Sequence, residues 1–412
     1  MVTVMEMQLY KQSRELADSV REALAEIIKG SLSGDETRTL LQDMSDAMFA
    51  VNQTLFGFPF VFENPDTQPA DPQKRVLQLP DVEGWLRVIE DVLSRRGQAK
   101  NRFDELFLRV TDCAAHVPYQ DMLENCKRLF HENPPDVQQK MTAYYQMFHY
   151  FWGTLDPETG DYGVMESRLK AFREHREDFI WLYDRLQDYR SRQVVIQYLQ
   201  YWMSYDTTCI KIMRECCFDD YFDPDILPVS PDEVVVDLGG YNGDTIRDYV
   251  SMYGRYKRIY TFEVSPVNAE AIRQNTAGYP DIVIVNKAAG SERGTVKMQL
   301  ANEASSTNAA IGSAGDESGS EQEVEVTTVD DEISEPVTMI KMDIEGAEKD
   351  ALLGCKRHII QEHPKLLICV YHNNEDIWKI ARMIHEMDVS YRFYLRSNGN
   401  QWGPAEIVLF AL

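Results

Sequence analysis

The chain has 412 residues and a formal net charge of −25. A charge this negative disfavours a nucleic-acid backbone or an anionic membrane as partner, because both are polyanions. The seven cysteines are odd in number and show no C-x-x-C spacing, and no apolar run is long enough to cross a bilayer. We therefore expect a soluble, cytoplasmic protein with reduced thiols and two or three domains.

Up to about residue 230 the sequence predicts helices, because apolar residues recur at the spacing of one helical face. The predicted helices cover residues 5–28, 36–55, 82–93, 103–113, 137–151, 166–185 and 193–213. A polar, proline-bearing stretch at 64–74 predicts a surface loop. The segment 144–152 is rich in aromatic residues, which could form either a core between helices or the wall of a binding site.

From residue 231 onward strands alternate with helices, which is typical of a doubly wound α/β domain. The predicted strands are 234–238, 258–263, 282–286, 339–343, 366–370, 392–395 and 407–411, and the predicted helices are 244–252, 267–276, 349–360 and 376–387. The sequence thus predicts a helical N-terminal domain over 1–180, a helical connector over 181–230 and an α/β domain over 231–412.

Two further short strands are predicted at 294–300 and 323–329, on either side of a small, polar segment at 301–322. A segment of this composition cannot bury a core of its own. It is either a solvated loop or a lid that orders over bound ligands, and in the second case Ser305, Ser306 and Asn308 could reach them.

The strand 234–238 is followed by a glycine-rich turn and a helix that begins near Asp244, which together form a nucleotide-binding unit. Dinucleotide sites carry G-x-G-x-x-G and meet a pyrophosphate there. Here the spacing is D-x-G-x-x-x-G, from Asp237 through Gly239 to Gly243. A carboxylate at this strand end repels a pyrophosphate but suits an ammonium or sulfonium group, and S-adenosylmethionine carries both.

An acidic residue also ends the next predicted strand. Glu263 follows the glycine turn by about twenty residues, the separation at which an acid binds ribose hydroxyls in nucleotide sites. The turn and the acid together favour S-adenosylmethionine as the cofactor over a purely structural turn.

A cluster of carboxylates, Asp343, Glu345 and Glu348, follows the predicted strand 339–343. Their like charges should raise the pKa of at least one of them, unless they share a proton or a cation. Glu348 could instead simply begin a helix, where its charge is favourable. His372 follows the next predicted strand, and a histidine there is as readily structural as functional.

From about residue 186 to the C terminus the chain resembles the FkbM-like family of S-adenosylmethionine-dependent methyltransferases. The motifs that carry the resemblance are Y-F-D-P-D at 221–225, V-D-L-G-G-Y-N-G-D-T at 236–245, F-E-V-S-P at 262–266, N-K-A-A at 286–289, I-K-M-D-I-E-G-A-E at 340–348 and Y-H at 371–372. The departures are mild, with Gly240 where alanine is frequent and Val264 where proline is frequent. Roughly the first 180 residues lie outside the resemblance.

The resemblance implies a class I methyltransferase fold, Rossmann-like with a mostly parallel seven-stranded sheet, and O-methylation of a hydroxyl on a small molecule or sugar. An alcohol is a poor nucleophile until its proton begins to leave, so we expect a nearby base. We assign His372 as that base and Asp343 as the residue that orients acceptor or cofactor. Glu345 is a second candidate, as base or as an oxygen ligand of a cation such as Mg²⁺.

The same resemblance gives a set of residues for cofactor binding. These are Asp237, Gly239, Gly240, Asn242, Gly243, Asp244, Glu263, Val264, Lys287, Ala288 and Asp343. The glycine turn should hold the methionine and ribose parts, and Lys287 and Ala288 should lie beside the adenine.

Two other classes of function remain open from the sequence. One is a nicotinamide-dependent oxidoreductase, which Asp237 before the glycines disfavours. The other is a non-catalytic cofactor-binding protein whose helical half serves in assembly. The expected partner is a small-molecule or carbohydrate acceptor, with neither nucleic acid nor membrane, and the helical domain could mediate homo-oligomerisation.

Overall fold

The computed structural model describes residues 4–30, 32–57, 79–218, 221–300, 320–399 and 402–412. The predicted loop at 64–74 and the three polar residues of the candidate lid, Ser305, Ser306 and Asn308, lie outside these ranges. Within them, no helix combines the length and the apolar character needed to cross a membrane.

The described part of the chain up to residue 213 is helical, as predicted. Its helices are α1 (Val4–Lys29), α2 (Gly34–Phe56), α3 (Leu79–Gly97), α4 (Arg102–His116), α5 (Tyr119–Glu132), α6 (Pro135–Met147), α7 (His149–Trp152), α8 (Gly163–Glu174), α9 (Arg176–Arg185), α10 (Tyr189–Ser204) and α11 (Thr207–Met213). Helix α5 is absent from the sequence prediction, although Met122, Cys126 and Phe130 bury one of its faces at helical spacing.

Three of the helices predicted before residue 214 are each divided in two. The predicted helix 137–151 becomes α6 and α7, and 166–185 becomes α8 and α9. The third, 193–213, is interrupted between α10 and α11, where Tyr205 takes a left-handed φ of 51° that a continuous helix does not allow. Apolar periodicity continues across such breaks, which is why the pattern does not reveal them.

The chain forms two compact units, and the division does not coincide with the predicted domain boundaries. The first unit comprises Met1–Pro134, Leu169–Arg176 and Leu199–Asp206, and the second comprises Pro135–Arg168, Glu177–Tyr198 and Thr207–Leu412. The aromatic segment 144–152 therefore belongs to the same compact unit as the sheet.

The first unit has a core that includes buried polar pairs as well as apolar side chains. Trp85 is fully buried, and its indole Nε1 donates to Asn52 Oδ1 over 2.9 Å. Arg96 and Asp112 form a buried ion pair, with Nε donating to Oδ2 over 2.8 Å. Each buried polar side chain in these two pairs has its partner inside the unit, as the cost of desolvation requires.

The second unit contains the α/β domain. Its elements after α11 are β1 (Val234–Leu238), α12 (Asp244–Tyr253), β2 (Arg258–Phe262), α13 (Pro266–Asn275), β3 (Ile282–Val285), β4 (Ala288–Ala289), β5 (Gly294–Leu300), β6 (Ser320–Thr327), α14 (Val329–Glu332), β7 (Met339–Met342), α15 (Glu348–Leu353), α16 (Lys356–Glu362), β8 (Lys365–Cys369), α17 (Asp376–Met387), β9 (Phe393–Ser397) and β10 (Ile407–Ala411). All seven strands predicted for the main sheet are present, with ends that shift by two residues at most.

These seven strands form one sheet in the order β3-β2-β1-β7-β8-β10-β9. The sheet is parallel except for β10, which runs antiparallel to both β8 and β9. Every residue of β1, β7 and β10 is buried, as expected of strands covered on both faces. The structure therefore confirms the predicted mostly parallel seven-stranded sheet.

The order of the strands reverses between β1 and β7, which are neighbours in the sheet but distant in sequence. In open α/β sheets, ligands bind beyond the carboxyl ends of the strands at this switch point. Asp237, Glu263, Asp343 and His372 all lie at or just after the carboxyl ends of β1, β2, β7 and β8. The topology therefore brings the predicted site residues to one edge of the sheet.

Two local features differ from the sequence prediction. The predicted helix 349–360 is two short helices, α15 and α16, which are separated at Gly354. A Cβ at Gly354 would lie 2.0 Å from the carbonyl oxygen of Gly290, so the chain approaches too closely there for any side chain. Strands β5 and β6 pair as an antiparallel hairpin, and the short strand β4, which the sequence did not reveal, adds to it.

Arg396 on β9 binds two carboxylates of the segment 181–230, and we predict that its substitution strongly destabilises the fold. Arg396 is 3% exposed, and it donates from Nε to Asp223 Oδ2 over 2.6 Å and from Nη2 to Asp188 Oδ2 over 2.8 Å. Arg396→Met would leave the buried Asp223 carboxylate without its main partner. We expect a loss of about 3–5 kcal/mol in the free energy of unfolding, measured by urea denaturation.

The matched control is Arg293→Met, which removes an arginine paired with Asp331 on the surface, where the two side chains are 64% and 47% exposed. An exposed pair of this kind contributes less than about 1 kcal/mol. Equal effects of the two substitutions would contradict the structural role of Arg396.

Candidate active site

The glycine turn after β1 is built around close approaches of the backbone. Gly239 has a φ of 88°, and a Cβ there would lie 1.9 Å from the carbonyl oxygen of Asp343. Gly240 occupies the position where the family resemblance leads one to expect alanine, and its Cβ would lie 2.1 Å from Thr261 Oγ1. Gly243, with a φ of 79°, precedes the first residue of α12. The glycines are therefore required by sterics at the turn itself.

Asp237 stabilises this turn from inside the protein. Its Oδ1 lies 3.1 Å from Lys341 Nζ, and its Oδ2 accepts a hydrogen bond from Thr261 over 3.1 Å. Lys341 also donates to the carbonyl oxygen of Gly239 over 2.9 Å, and both charged side chains are nearly inaccessible to solvent. Burial raises the pKa of Asp237 despite this pairing, whereas the carboxylates of Asp237 and Asp343 outweigh burial and raise the pKa of Lys341.

Glu263, directly after β2, folds back toward the glycine turn. Its Oε2 accepts the backbone N–H of Tyr241 over 2.9 Å, and its Oε1 accepts that of Ser265 over 2.8 Å. The side chain is buried, and burial raises its pKa. The side chain of Asn268 also hydrogen-bonds this carboxylate. A carboxylate has about four acceptor positions, so a position remains for a ligand hydroxyl.

One cavity of about 430 Å³ connects these residues with the ends of β7 and β8. Of the residues predicted to bind the cofactor, those in its wall are Gly239, Asp244, Glu263, Val264, Lys287, Ala288 and Asp343. The other four predicted residues, Asp237, Gly240, Asn242 and Gly243, are not part of the wall formed by the described residues. The volume is in the range of small-molecule and cofactor sites.

The acidic turn after β7 brings three carboxylates together. Asp343 Oδ2 accepts a hydrogen bond from the Tyr221 hydroxyl over 2.7 Å. Glu345 and Gly346 both take a positive φ, 56° and 98°, which reverses the chain within two residues. Glu348 Oε1 then accepts the backbone N–H groups of Ile344 and Gly346 over 3.0 and 3.3 Å. Glu348 therefore organises the turn, and Asp343 and Glu345 lie in the cavity wall.

His372 is fully buried behind these carboxylates. Its Nδ1 lies 3.0 Å from Glu348 Oε1, and its Nε2 lies 3.5 Å from both Asp343 Oδ1 and Glu345 Oε2. Burial disfavours the imidazolium, but the carboxylates of Glu348, Asp343 and Glu345 outweigh it and raise the pKa of His372 to about 10. These carboxylates favour the protonated imidazole, and a protonated imidazole is a poor general base. The assignment of His372 as the base stays a prediction.

The other carboxylates of the cluster respond to the same charges. Burial raises the pKa of Glu345 to about 7. Burial also opposes ionisation of Asp343, but Lys341 and His372 outweigh it and lower the pKa of Asp343. The cluster as a whole therefore favours a positive charge between the carboxylates.

Another part of the cavity lining is an aromatic wall, formed by Tyr144, Phe148, Phe151 and Trp152. Trp152 donates from its indole Nε1 to the carbonyl oxygen of Tyr371 over 2.7 Å and stacks on Tyr144 with 5.8 Å between ring centroids. The Phe151 ring lies 5.0 Å from the His372 ring. Both interpretations of the aromatic segment therefore apply, because side chains that pack as core also line the cavity.

Several residues of the wall were missed by the sequence reasoning. Tyr221, Tyr371 and Glu406 line the cavity beside Asp343 and Glu345, and the Tyr371 hydroxyl lies 3.3 Å from Glu406 Oε1. Tyr221 and Tyr371 belong to motifs that carry the family resemblance, which was the available signal. No pattern in the sequence pointed to Glu406.

The buried pair of Asp237 and Lys341 predicts a double-mutant result. Lys341→Met leaves the Asp237 carboxylate buried without its cation, so we expect the free energy of unfolding to fall by about 3–5 kcal/mol. Adding Asp237→Asn removes the uncompensated charge and should restore a measurable part of that loss in urea denaturation. Strictly additive losses in the double variant would contradict a direct interaction between the two side chains.

The comparisons with known proteins agree with this geometry. Residues 237–401 match the family model described as the methyltransferase FkbM domain. The chain is similar in structure to a methyltransferase FkbM from Methylobacillus flagellatus KT, with 22% sequence identity and a TM-score of 0.50. That match covers 60% of this chain and 62% of the other, so the chain spans less than two thirds of its relative's length.

Two further solved structures are less similar. An rRNA methylase from Streptococcus thermophilus has 14% identity and a TM-score of 0.28, covering 44% of this chain and 86% of the other. A methyltransferase from Streptococcus mutans, in complex with SAH, has 12% identity and a TM-score of 0.28, covering 44% of this chain and 89% of the other. No curated protein sequence matches the chain significantly.

The family model spans the glycine turn, Glu263, the acidic turn and His372, which are the residues that the fold gathers at one edge of the sheet. The match to the FkbM methyltransferase domain therefore covers the part of the chain that holds the candidate site, and it supports S-adenosylmethionine as the cofactor.

Proposed function

We propose that the protein transfers a methyl group from S-adenosylmethionine to a hydroxyl group of a small molecule or carbohydrate. One observation carries this proposal. A single cavity runs from Glu263 and the glycine turn to the acidic turn and the aromatic wall. Cofactor and acceptor can therefore occupy one continuous space, as a direct transfer between them requires.

Methyl transfer from a sulfonium is an in-line displacement at carbon. Much of the rate enhancement can therefore come from holding the acceptor oxygen, the methyl carbon and the sulfur in line. In our proposal the glycine turn and Asp244 hold the methionine part of the cofactor, and Glu263 accepts hydrogen bonds from the ribose hydroxyls. Lys287 and Ala288, in the wall of the same part of the cavity, lie beside the adenine.

The acceptor hydroxyl must lose its proton as the new bond forms. We assign this task to Glu345, because its carboxylate lies in the cavity wall, whereas His372 is fully buried behind it. Asp343, held by the hydroxyl of Tyr221, orients the acceptor. His372 contacts both carboxylates through Nε2 and acts as a positioning residue for them.

The aromatic wall indicates what kind of acceptor fits. Aromatic faces bind the C–H face of a sugar or another ring, and they leave polar groups of the acceptor free to face Asp343 and Glu345. The net charge of −25 opposes the approach of a polyanion. We therefore propose a neutral sugar or phenolic compound as acceptor and not a nucleic acid.

Cofactor binding gives a first prediction. Glu263→Gln keeps the shape of the side chain but removes the charge that strengthens its hydrogen bonds to ribose hydroxyls. We expect S-adenosylmethionine to bind about 10- to 100-fold more weakly, measured by calorimetry, since a hydrogen bond to a charged group contributes about 1.5–3 kcal/mol.

The control is Glu270→Gln, which neutralises a carboxylate on the exposed side of α13, 56% exposed in its surface pair with Arg273. Its affinity for the cofactor should equal that of the wild type. If the wild type binds NADH more tightly than S-adenosylmethionine, the alternative function, a nicotinamide-dependent oxidoreductase, is supported instead.

Turnover gives a second prediction. With methyl-labelled S-adenosylmethionine and a panel of neutral sugars and phenols, we expect label in an acceptor and one S-adenosylhomocysteine per methyl transferred. Glu345→Gln should lower kcat by about 10²–10⁴-fold, the usual contribution of a general base, while cofactor affinity stays unchanged.

If Glu345→Gln has the kcat of the wild type, Glu345 is not the general base. Label found on amine nitrogen would contradict O-methylation, and label incorporated into added RNA would contradict a small-molecule acceptor. Cofactor binding without turnover on any acceptor of the panel would favour the non-catalytic binding protein.

A further inference from the structure

We propose that Asp343, Glu348 and His372 bind a divalent transition-metal ion at the edge of the cavity. Each of the three residues offers a ligand atom, and these atoms all lie within 4.8 Å of one another. Ligands around one ion are separated by about 3–4 Å when each bond is near 2.1 Å. Small side-chain rotations are therefore enough to close the set around an ion.

A second observation points independently to a ligand at this position. Asp343 Oδ1, Glu348 Oε2 and His372 Nε2 are buried, and none of them has a hydrogen-bond partner among the described residues. Buried polar atoms in folded proteins are almost always hydrogen-bonded. Here one such atom occurs on each member of the proposed ligand set, and His372 and Glu348 are both 0% exposed.

The charges nearby also call for a cation. Glu345 Oε2 lies 3.5 Å from His372 Nε2, so three carboxylates surround one imidazole. The ammonium group of Lys341, which also lies near Asp343, is held 3.1 Å from Asp237 and 2.9 Å from the carbonyl oxygen of Gly239. Lys341 therefore serves the glycine turn. A divalent ion bound to His372 would displace the imidazole proton and take its place as the positive charge between the carboxylates of the acidic turn.

The donor set indicates the class of metal. An imidazole nitrogen with two carboxylates suits Mn²⁺, Fe²⁺, Co²⁺ or Zn²⁺, whereas Mg²⁺ prefers oxygen ligands alone and keeps several waters. The inclusion of His372 thus changes the expectation from Mg²⁺ to a transition metal. Glu345, on the cavity side of His372, is placed to complete the coordination or to orient a bound water.

The position of the set suggests what the ion does. Asp343 lies in the cavity wall, so an ion bound to it lies on the acceptor side of the cavity. A metal there lowers the pKa of a bound hydroxyl and fixes its direction. This role rests on the proposed methyl transfer, whereas binding of the ion itself does not.

The test uses the full chain, freed of metal by a chelator and then titrated with Mn²⁺ alone. We expect the wild type to bind one ion, seen as loss of the free Mn²⁺ signal in electron paramagnetic resonance. Pulsed measurements should show coupling to an imidazole nitrogen. Asp343→Asn should bind roughly 100-fold more weakly, and His372→Gln should also lose the nitrogen coupling.

The matched control is Glu406→Gln, another carboxylate of the same cavity wall that is not a member of the set. This substitution removes one negative charge, as Asp343→Asn does. The variant should nevertheless bind Mn²⁺ as tightly as the wild type. Thermal unfolding of each variant identifies substitutions that prevent folding, and Asp343→Asn decides the outcome if His372→Gln does not fold.

The proposal is overturned if the wild type binds no stoichiometric Mn²⁺ or Zn²⁺, or if Asp343→Asn and His372→Gln bind as tightly as the wild type. Equal weakening by Glu406→Gln would show general attraction by negative charge and would also overturn it. In either case, S-adenosylmethionine binding by the same sample would leave the proposed function intact. Loss of cofactor binding in the folded wild type would contradict the proposed function instead.

Discussion

The buried ion pair between Asp237 and Lys341 is the interaction on which the rest of the site depends. It joins β1 to β7 at the point where the strand order reverses, and Lys341 reaches on to the carbonyl oxygen of Gly239. A charge pair inside a sheet is costly unless its geometry is good and further hydrogen bonds satisfy both groups. Thr261 and the Gly239 carbonyl provide those bonds, and the turn is held where Gly239 passes directly over Asp343.

The same lysine connects the two halves of the cavity. Its ammonium group lies 5.0 Å from the centroid of the Tyr221 ring, and the Tyr221 hydroxyl donates to Asp343. The glycine turn and the acidic turn are therefore connected through one buried network.

The acidic turn combines an unusual backbone conformation with three carboxylates of like charge. Two successive residues with positive φ bring Asp343, Glu345 and Glu348 close together, although their charges repel. Backbone hydrogen bonds to Glu348 and the imidazole of His372 offset that repulsion. Strain and like charge concentrated at a cavity wall are typical of a functional site.

The aromatic wall extends the site beyond the family domain. Trp152, which bonds to the carbonyl oxygen of Tyr371, is separated from it by 219 residues, and the wall lies outside the matched range 237–401. Part of the cavity wall therefore lies inside the matched range, and part is formed by residues that precede it in the chain.

The sequence by itself determined the α/β domain and its seven strands, because strand periodicity is local in the chain. It indicated the cofactor through the motifs that resemble the FkbM family. It also placed Asp343, Glu345 and His372 at strand ends, and parallel strands carry such residues to one edge. Only the tertiary structure decided how they face each other. The periodicity of the sequence does not show that Asp237 pairs with Lys341 or that His372 is fully buried next to the carboxylates. The tertiary structure also made the segment 144–152 part of the cavity, because contacts between residues so far apart in sequence depend on how the whole unit packs.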